Sequence, residues 1–179
     1  MPGPYVRAVQ AGDPDWDFYV FAIADVPGVV AANNYLSAFN PVGSGRIMIA
    51  VASNYASYAV GQTDVPQSMK VYRTTAASGG TLVTPQSTIP KFVTTSVDSV
   101  VQIRTGNPTV TTVGNILLGA APVISTGAGA ANTASSVPPG ASFVMQPGQG
   151  LVFRSDAGDI DQRWNIQLVW AETAIGFEP

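Results

Sequence analysis

The chain has 179 residues, of which 46% are hydrophobic and 11% charged, and a formal net charge of −3. A typical soluble domain carries about 25% charged residues, so much of the polar surface here falls to Ser, Thr, Asn, Gln and backbone groups. It contains no Cys and no His, which excludes disulfides, thiol nucleophiles, Ser-His-Asp triads, zincin helices and Cys- or His-ligated metal centres.

Residues 1–16 hold three Pro and two Gly without a sustained apolar period, and read as an extended N-terminal arm. A single β-domain is expected over 17–179. Its first strand is Phe18-Tyr19-Val20-Phe21-Ala22-Ile23, ended by Pro27-Gly28. Next, Asn34-Tyr35-Leu36-Ser37-Ala38-Phe39 and Arg46-Ile47-Met48-Ile49-Ala50-Val51-Ala52 flank the turn Asn40-Pro41-Val42-Gly43-Ser44-Gly45, a pattern that predicts a hairpin. In the second of these strands Ile47, Ile49 and Val51 point one way and Met48, Ala50 and Ala52 the other. Both faces are apolar, so the strand is expected to be central.

Met69-Lys70-Val71-Tyr72-Arg73-Thr74 and Val101-Gln102-Ile103-Arg104 alternate as half-buried strands do, and residues 110–118 are β-branched and apolar. Residues 119–140 are dominated by Ala, Gly, Ser and Pro and read as a long loop, with one short strand expected at Val123-Ile124-Ser125. Helix is disfavoured there because Gly127, Gly129, Pro138, Pro139 and Gly140 would each cost about 1 to 3 kcal/mol in a helix interior. Strands follow at 142–145 and, after the turn Pro147-Gly148, at 150–153. In the last strand Trp164, Ile166, Leu168 and Trp170 alternate with Asn165, Gln167 and Val169, which marks a core-covering face.

About eight such strands with no long amphipathic helix predict an all-β protein, a jelly-roll β-sandwich, with an immunoglobulin-like sandwich as the alternative. Low charge with a mean hydropathy of +0.21 suggests a surface partly covered by other subunits. No basic cluster offers the electrostatic footprint of a nucleic-acid binder. No run approaches the roughly 18 apolar residues of a membrane span, and Met1-Pro2-Gly3-Pro4 does not begin a signal peptide. The expectation is a soluble protein made in the cytosol, with neither a nucleic-acid nor a membrane partner.

Two acidic stretches, Asp13-Pro14-Asp15-Trp16-Asp17 and Asp156-Ala157-Gly158-Asp159-Ile160-Asp161, offer the oxygen ligands a calcium ion takes. Neither has EF-hand spacing, and Asp and Gly are ordinary turn formers, so turns are preferred. Gly43-Ser44-Gly45-Arg46 lacks the Walker spacing and leads into a strand, which favours a turn over a phosphate cradle. Tyr35, Tyr55, Tyr58 and Tyr72 are surface candidates for stacking on a sugar, whereas Trp164 and Trp170 belong to the core. No catalytic residue, cofactor or metal ligand is assigned, and a carboxylate-pair glycosidase would be the last enzymatic option.

Three stretches resemble the jelly-roll auxiliary proteins of tailed-bacteriophage heads, known as decoration, cement or head-fibre proteins. They are Tyr35-Leu36-Ser37-Ala38-Phe39-Asn40-Pro41-Val42-Gly43-Ser44-Gly45-Arg46, Gln146-Pro147-Gly148-Gln149-Gly150-Leu151-Val152-Phe153, and residues 164–170 with Ala171-Glu172. The resemblance implies a non-enzymatic virion protein, made in the host cytoplasm and located on the capsid surface. Its partners would be the major capsid protein and itself, as a homotrimer that bridges capsomers. The arm would then be the clamp, with Tyr5, Arg7 and Trp16 as anchors, because Tyr, Arg and Trp are enriched among binding hot spots. The competing expectation is a receptor- or carbohydrate-binding module of a phage tail or fibre built on the same sandwich.

Overall fold

The structure, a computed structural model, describes residues 16–61, 68–84, 86–91, 97–119, 131–136, 143–156 and 158–175. Its strands are β1 (Asp17–Pro27), β2 (Asn33–Asn40), β3 (Arg46–Ala59), β4 (Met69–Ser78), β5 (Thr81–Leu82), β6 (Gln102–Thr105), β7 (Thr109–Gly119), β8 (Ala131–Ser136), β9 (Phe143–Met145), β10 (Gln149–Ser155) and β11 (Gln162–Ala174), with one 3-10 turn at Gln86–Thr88. All strand pairs are antiparallel. Sheet A runs β1-β11-β3, with β8 and β9 sharing the far edge of β3, and sheet B runs β5-β6-β2-β10-β4-β7. The two sheets face each other as a β-sandwich.

The period-2 signal of the last strand determines its role. Trp164, Ile166, Leu168 and Trp170 are at most 3% exposed, while Asn165 and Gln167 on the other face are open to solvent. From sheet B, Leu36, Ala38, Met69, Val71, Ile103, Leu151 and Phe153 close on them. Tyr35 on β2 meets Trp164 on β11 with ring centroids 6.3 Å apart, and Tyr55 on β3 meets Phe153 on β10 edge-on at 6.2 Å. Each such aromatic pair across the sandwich adds about 0.5–1.5 kcal/mol beyond its buried area.

Bulges set which side chains reach this core. On β3, Ala50 faces Trp170 and Ala52 faces Val169, so Val51 is an extra residue. Before it the even positions Met48 and Ala50 face inward, and after it the odd positions Ser53, Tyr55 and Ser57 do. The expected alternation through Ala52 therefore breaks at Val51, because a bulge advances the strand by one residue without a partner. The central position of β3 is as anticipated, since Ile49 on its outer face is also buried.

A second bulge lies on β1, where Ala24 and Asp25 together oppose Asn165. Asp25 has φ 57°, and its amide donates to Asn165 Oδ1 at 2.9 Å. A third bulge at Tyr35 lets both Tyr35 and Leu36 enter the core.

The turn at residues 41–45 joins strands of different sheets, so it is a crossing between sheets and not the expected hairpin. The neighbours of β2 are β6 and β10, whose apolar faces match it in register. Gly43 (φ 79°) and Gly45 (φ 68°) supply the left-handed backbone that the sharp turn needs. The turn from β9 to β10, with Gly148 at φ 84°, crosses in the same way beside it.

Residues 131–136, expected to lie in a loop, form β8 along Asn54–Tyr58 of β3. A run of Ala, Asn, Thr and Ser has no periodic signal, and a free sheet edge supplies the backbone partners that propensity does not. Val123, Ile124 and Ser125 lie outside the described residues.

Candidate functional site

Trp16 is half-buried directly before β1. Tyr5 and Arg7, the other proposed anchors, lie outside the described residues. The end of the sandwich next to Trp16 holds a network that the sequence reading missed. Glu172, 0% exposed, accepts from Ser99 Oγ at 2.5 Å, from the Val100 amide at 3.1 Å and from Trp170 Nε1 at 2.9 Å. Arg46 reaches Glu172 at 3.5 Å and Asp17 at 2.8 Å.

The Tyr19 hydroxyl donates to the Val97 carbonyl at 3.0 Å. Burial, then the Glu172 and Asp17 carboxylates, push the Tyr19 phenol well above its ordinary range. Burial acts to lower Arg46, but its hydrogen bond to Asp17 and the two carboxylates together hold it above its usual value. This network fastens β1, β3, β11 and the segment before β6 together. Its signal was present in the sequence: two residues beyond Trp170 an inward-facing position carries an acid.

The described acids of the two acidic stretches are held in separate contacts. Asp13 and Asp15 lie outside the described residues, and Asp17 is held by Arg46. Asp156 pairs with Lys70, with Arg154 at 3.1 Å and with the Tyr72 hydroxyl at 3.4 Å. The Lys70 contact in particular pulls the Asp156 carboxyl below its usual range. Asp159 Oδ1 accepts the Asp161 amide at 2.9 Å, the geometry of an Asx turn. Among the described residues no group of three or more acids could share a metal ion.

The four tyrosines separate as well. Tyr35 and Tyr55 are 2% and 1% exposed, which corrects their expected surface placement: the bulges at Tyr35 and Val51 turn both inward. Tyr58 lies on the outer face of sheet A, its hydroxyl donating to Asp25 Oδ1. Tyr72 lies on the outer face of sheet B, with the Arg154 guanidinium 6.0 Å above its ring. Trp164 and Trp170 are in the core, as their alternation required.

The outer faces of the two sheets differ in chemistry. Sheet B carries Lys70, Tyr72, Arg104, Arg154 and Asp156. Across β1, β11 and β3 the outer face of sheet A presents a shallow depression of about 250 Å³, lined by Ala22, Ala24, Asn54, Ala56, Asn165 and Gln167. Among the described residues its charges are Asp25 and Arg163, which lie at one rim, 3.9 Å apart. No family model, curated protein or solved structure matches the chain.

Proposed function

We propose that this chain is a structural virion protein that seats on the outer surface of a tailed-bacteriophage capsid. It binds the major capsid protein and itself, as a homotrimer, and stabilises the shell by bridging capsomers. The observation that carries the reading is where the resembling stretches lie. Residues 35–46 contain one sheet crossing, residues 146–153 the other, and residues 164–172 run along β11. Asn40 joins the two crossings: its Nδ2 donates to the Arg46 carbonyl at 2.8 Å and the Met145 carbonyl at 3.2 Å, and its own carbonyl accepts from Gly148 N at 2.8 Å.

The strand pairing also supports a jelly roll. β1 pairs with β11, β2 with β10, β3 with β9 and β4 with β7, the nesting of one long hairpin rolled into two facing sheets. On this reading the scaffold works by contact and not by turnover. A weakly charged surface repeated over many copies gains affinity by multivalency. The buried placement of Tyr35 and Tyr55 removes two of the four ring candidates on which a sugar-binding reading depended.

The test is co-sedimentation of the purified protein with undecorated capsids. Saturable pelleting with the shell is expected, and a protein that stays in the supernatant at every capsid concentration would overturn the reading. Deleting residues 1–16 then tests the arm as clamp: undiminished binding rejects Tyr5, Arg7 and Trp16 as anchors.

A further inference from the structure

We infer that the outer face of sheet A is where a second copy of this chain docks. The inference rests on the self-association part of the reading above and adds to it a contact about a twofold axis, separate from the threefold contacts of the homotrimer. Three observations converge on this face.

The first is its composition. Ala22, Ala24, Asn54, Asn165 and Gln167 are exposed and Ala56 half-exposed, so three adjacent strands present methyl groups and amides. A solvated sheet face normally carries charge, as the outer face of sheet B does with Lys70, Arg104, Arg154 and Asp156. Charge depletion at the centre of a patch is the compositional mark of a protein interface.

The second is shape. Alanines on β1 and β3 flanking β11 leave the depression of about 250 Å³, which lets an opposing side chain or strand come close to the backbone.

The third is the rim, and it selects the occupant. Asp25 is 70% exposed at its side chain and Arg163 29%, and at 3.9 Å their contact within the chain is loose. A patch with one acid and one base at its edge is complementary to itself, because a second copy brings Arg163 to Asp25 and Asp25 to Arg163. A partner of single-sign charge would leave one of the two unmatched. Tyr58, hydrogen-bonded to Asp25, adds a ring of the type enriched at protein interfaces.

The experiment measures mass in solution by light scattering, with circular dichroism as the control for folding. Wild type is expected to be an assembly with an even number of copies. Ala22→Glu and Gln167→Lys, both at exposed positions, are expected to halve its mass with an unchanged β spectrum. Thr111→Glu on the exposed edge of sheet B should leave the mass as it is.

Asp25→Arg and Arg163→Asp should each weaken assembly, and an equimolar mixture of the two should regain it, which a contact within one chain cannot produce. A single-chain mass for wild type across the concentration range, or an assembly untouched by both face variants, overturns the inference. So does loss of capsid pelleting in these variants with the assembly intact, because the face would then belong to the shell. Failure of wild type to pellet with capsids would sink the capsid reading and leave the result on this face standing.

Discussion

The indole N–H of Trp170 donates at 2.9 Å to the carboxylate of Glu172, two residues further along the same inward face of β11. With Ser99, the Val100 amide and Arg46 also on that carboxylate, Glu172 organises one end of the sandwich. Removing one partner of a buried charge network typically costs about 3–5 kcal/mol. Glu172→Ala is therefore expected to lower unfolding free energy by about that much, and Glu172→Gln by less, since an amide still accepts one donor. Urea denaturation followed by tryptophan fluorescence reads both, and equal, negligible effects would refute the role.

Asn40 is expected to be the second sensitive polar position. Asn40→Ala leaves the Arg46 and Met145 carbonyls without their side-chain donor, a loss of about 1–3 kcal/mol. Asn40→Asp should be worse, because a carboxylate would face two carbonyl oxygens. Thermal midpoints of the two variants check the order.

Two glycines separate space from backbone strain. A Cβ on Gly158 would lie 1.5 Å from the Val29 carbonyl oxygen, whereas one on Gly43 meets nothing within 4 Å and suffers only from φ +79°. Gly43→Ala is expected to cost about 1–2 kcal/mol from the left-handed backbone. Gly158→Ala must move the chain between β1 and β2, and should destabilise more than Gly43→Ala in the same denaturation experiment.

The Lys70–Asp156 pair should show in the acid limb of stability. Asp156 titrates below its ordinary value in the folded chain, chiefly through its hydrogen bond to Lys70. Its contribution is thus present above the unfolded carboxylate pKa and lost as pH falls through the folded one. The pair is partly exposed, so the effect is at most about 1 kcal/mol. Asp156→Asn should cost that little at pH 7, and the difference from wild type should shrink as pH falls below the ordinary carboxylate value of 3.8 and shrink in 1 M salt.

The alkaline limb belongs to the buried phenols. Tyr19 and Tyr35 are both raised by burial, so the neutral ring is favoured in the folded chain. Stability from this source is complete below about pH 10, the unfolded tyrosine value, and declines above it. The urea midpoint should fall between pH 9 and 11, and Tyr19→Phe should flatten that fall.

The amino-acid sequence by itself determined the class and most of the strands. The alternation of Trp164, Ile166, Leu168 and Trp170 can satisfy only a half-buried strand, and no stretch carries the apolar period of a long amphipathic helix. That reading depends on local period alone, which is why it survives folding. What it does not encode is which strand lies beside which. A turn such as residues 41–45 has the same composition whether it closes a hairpin or carries the chain to the opposite sheet, and only the competing partners β6 and β10 decide. Nor does it reveal the bulges at Val51 and Tyr35, each of which shifts a strand by one residue against its neighbour. Those shifts turned Tyr55 and Tyr35 inward and left an uncharged face between Ala22 and Ala56, because in a sheet a displacement of one residue exchanges core for surface.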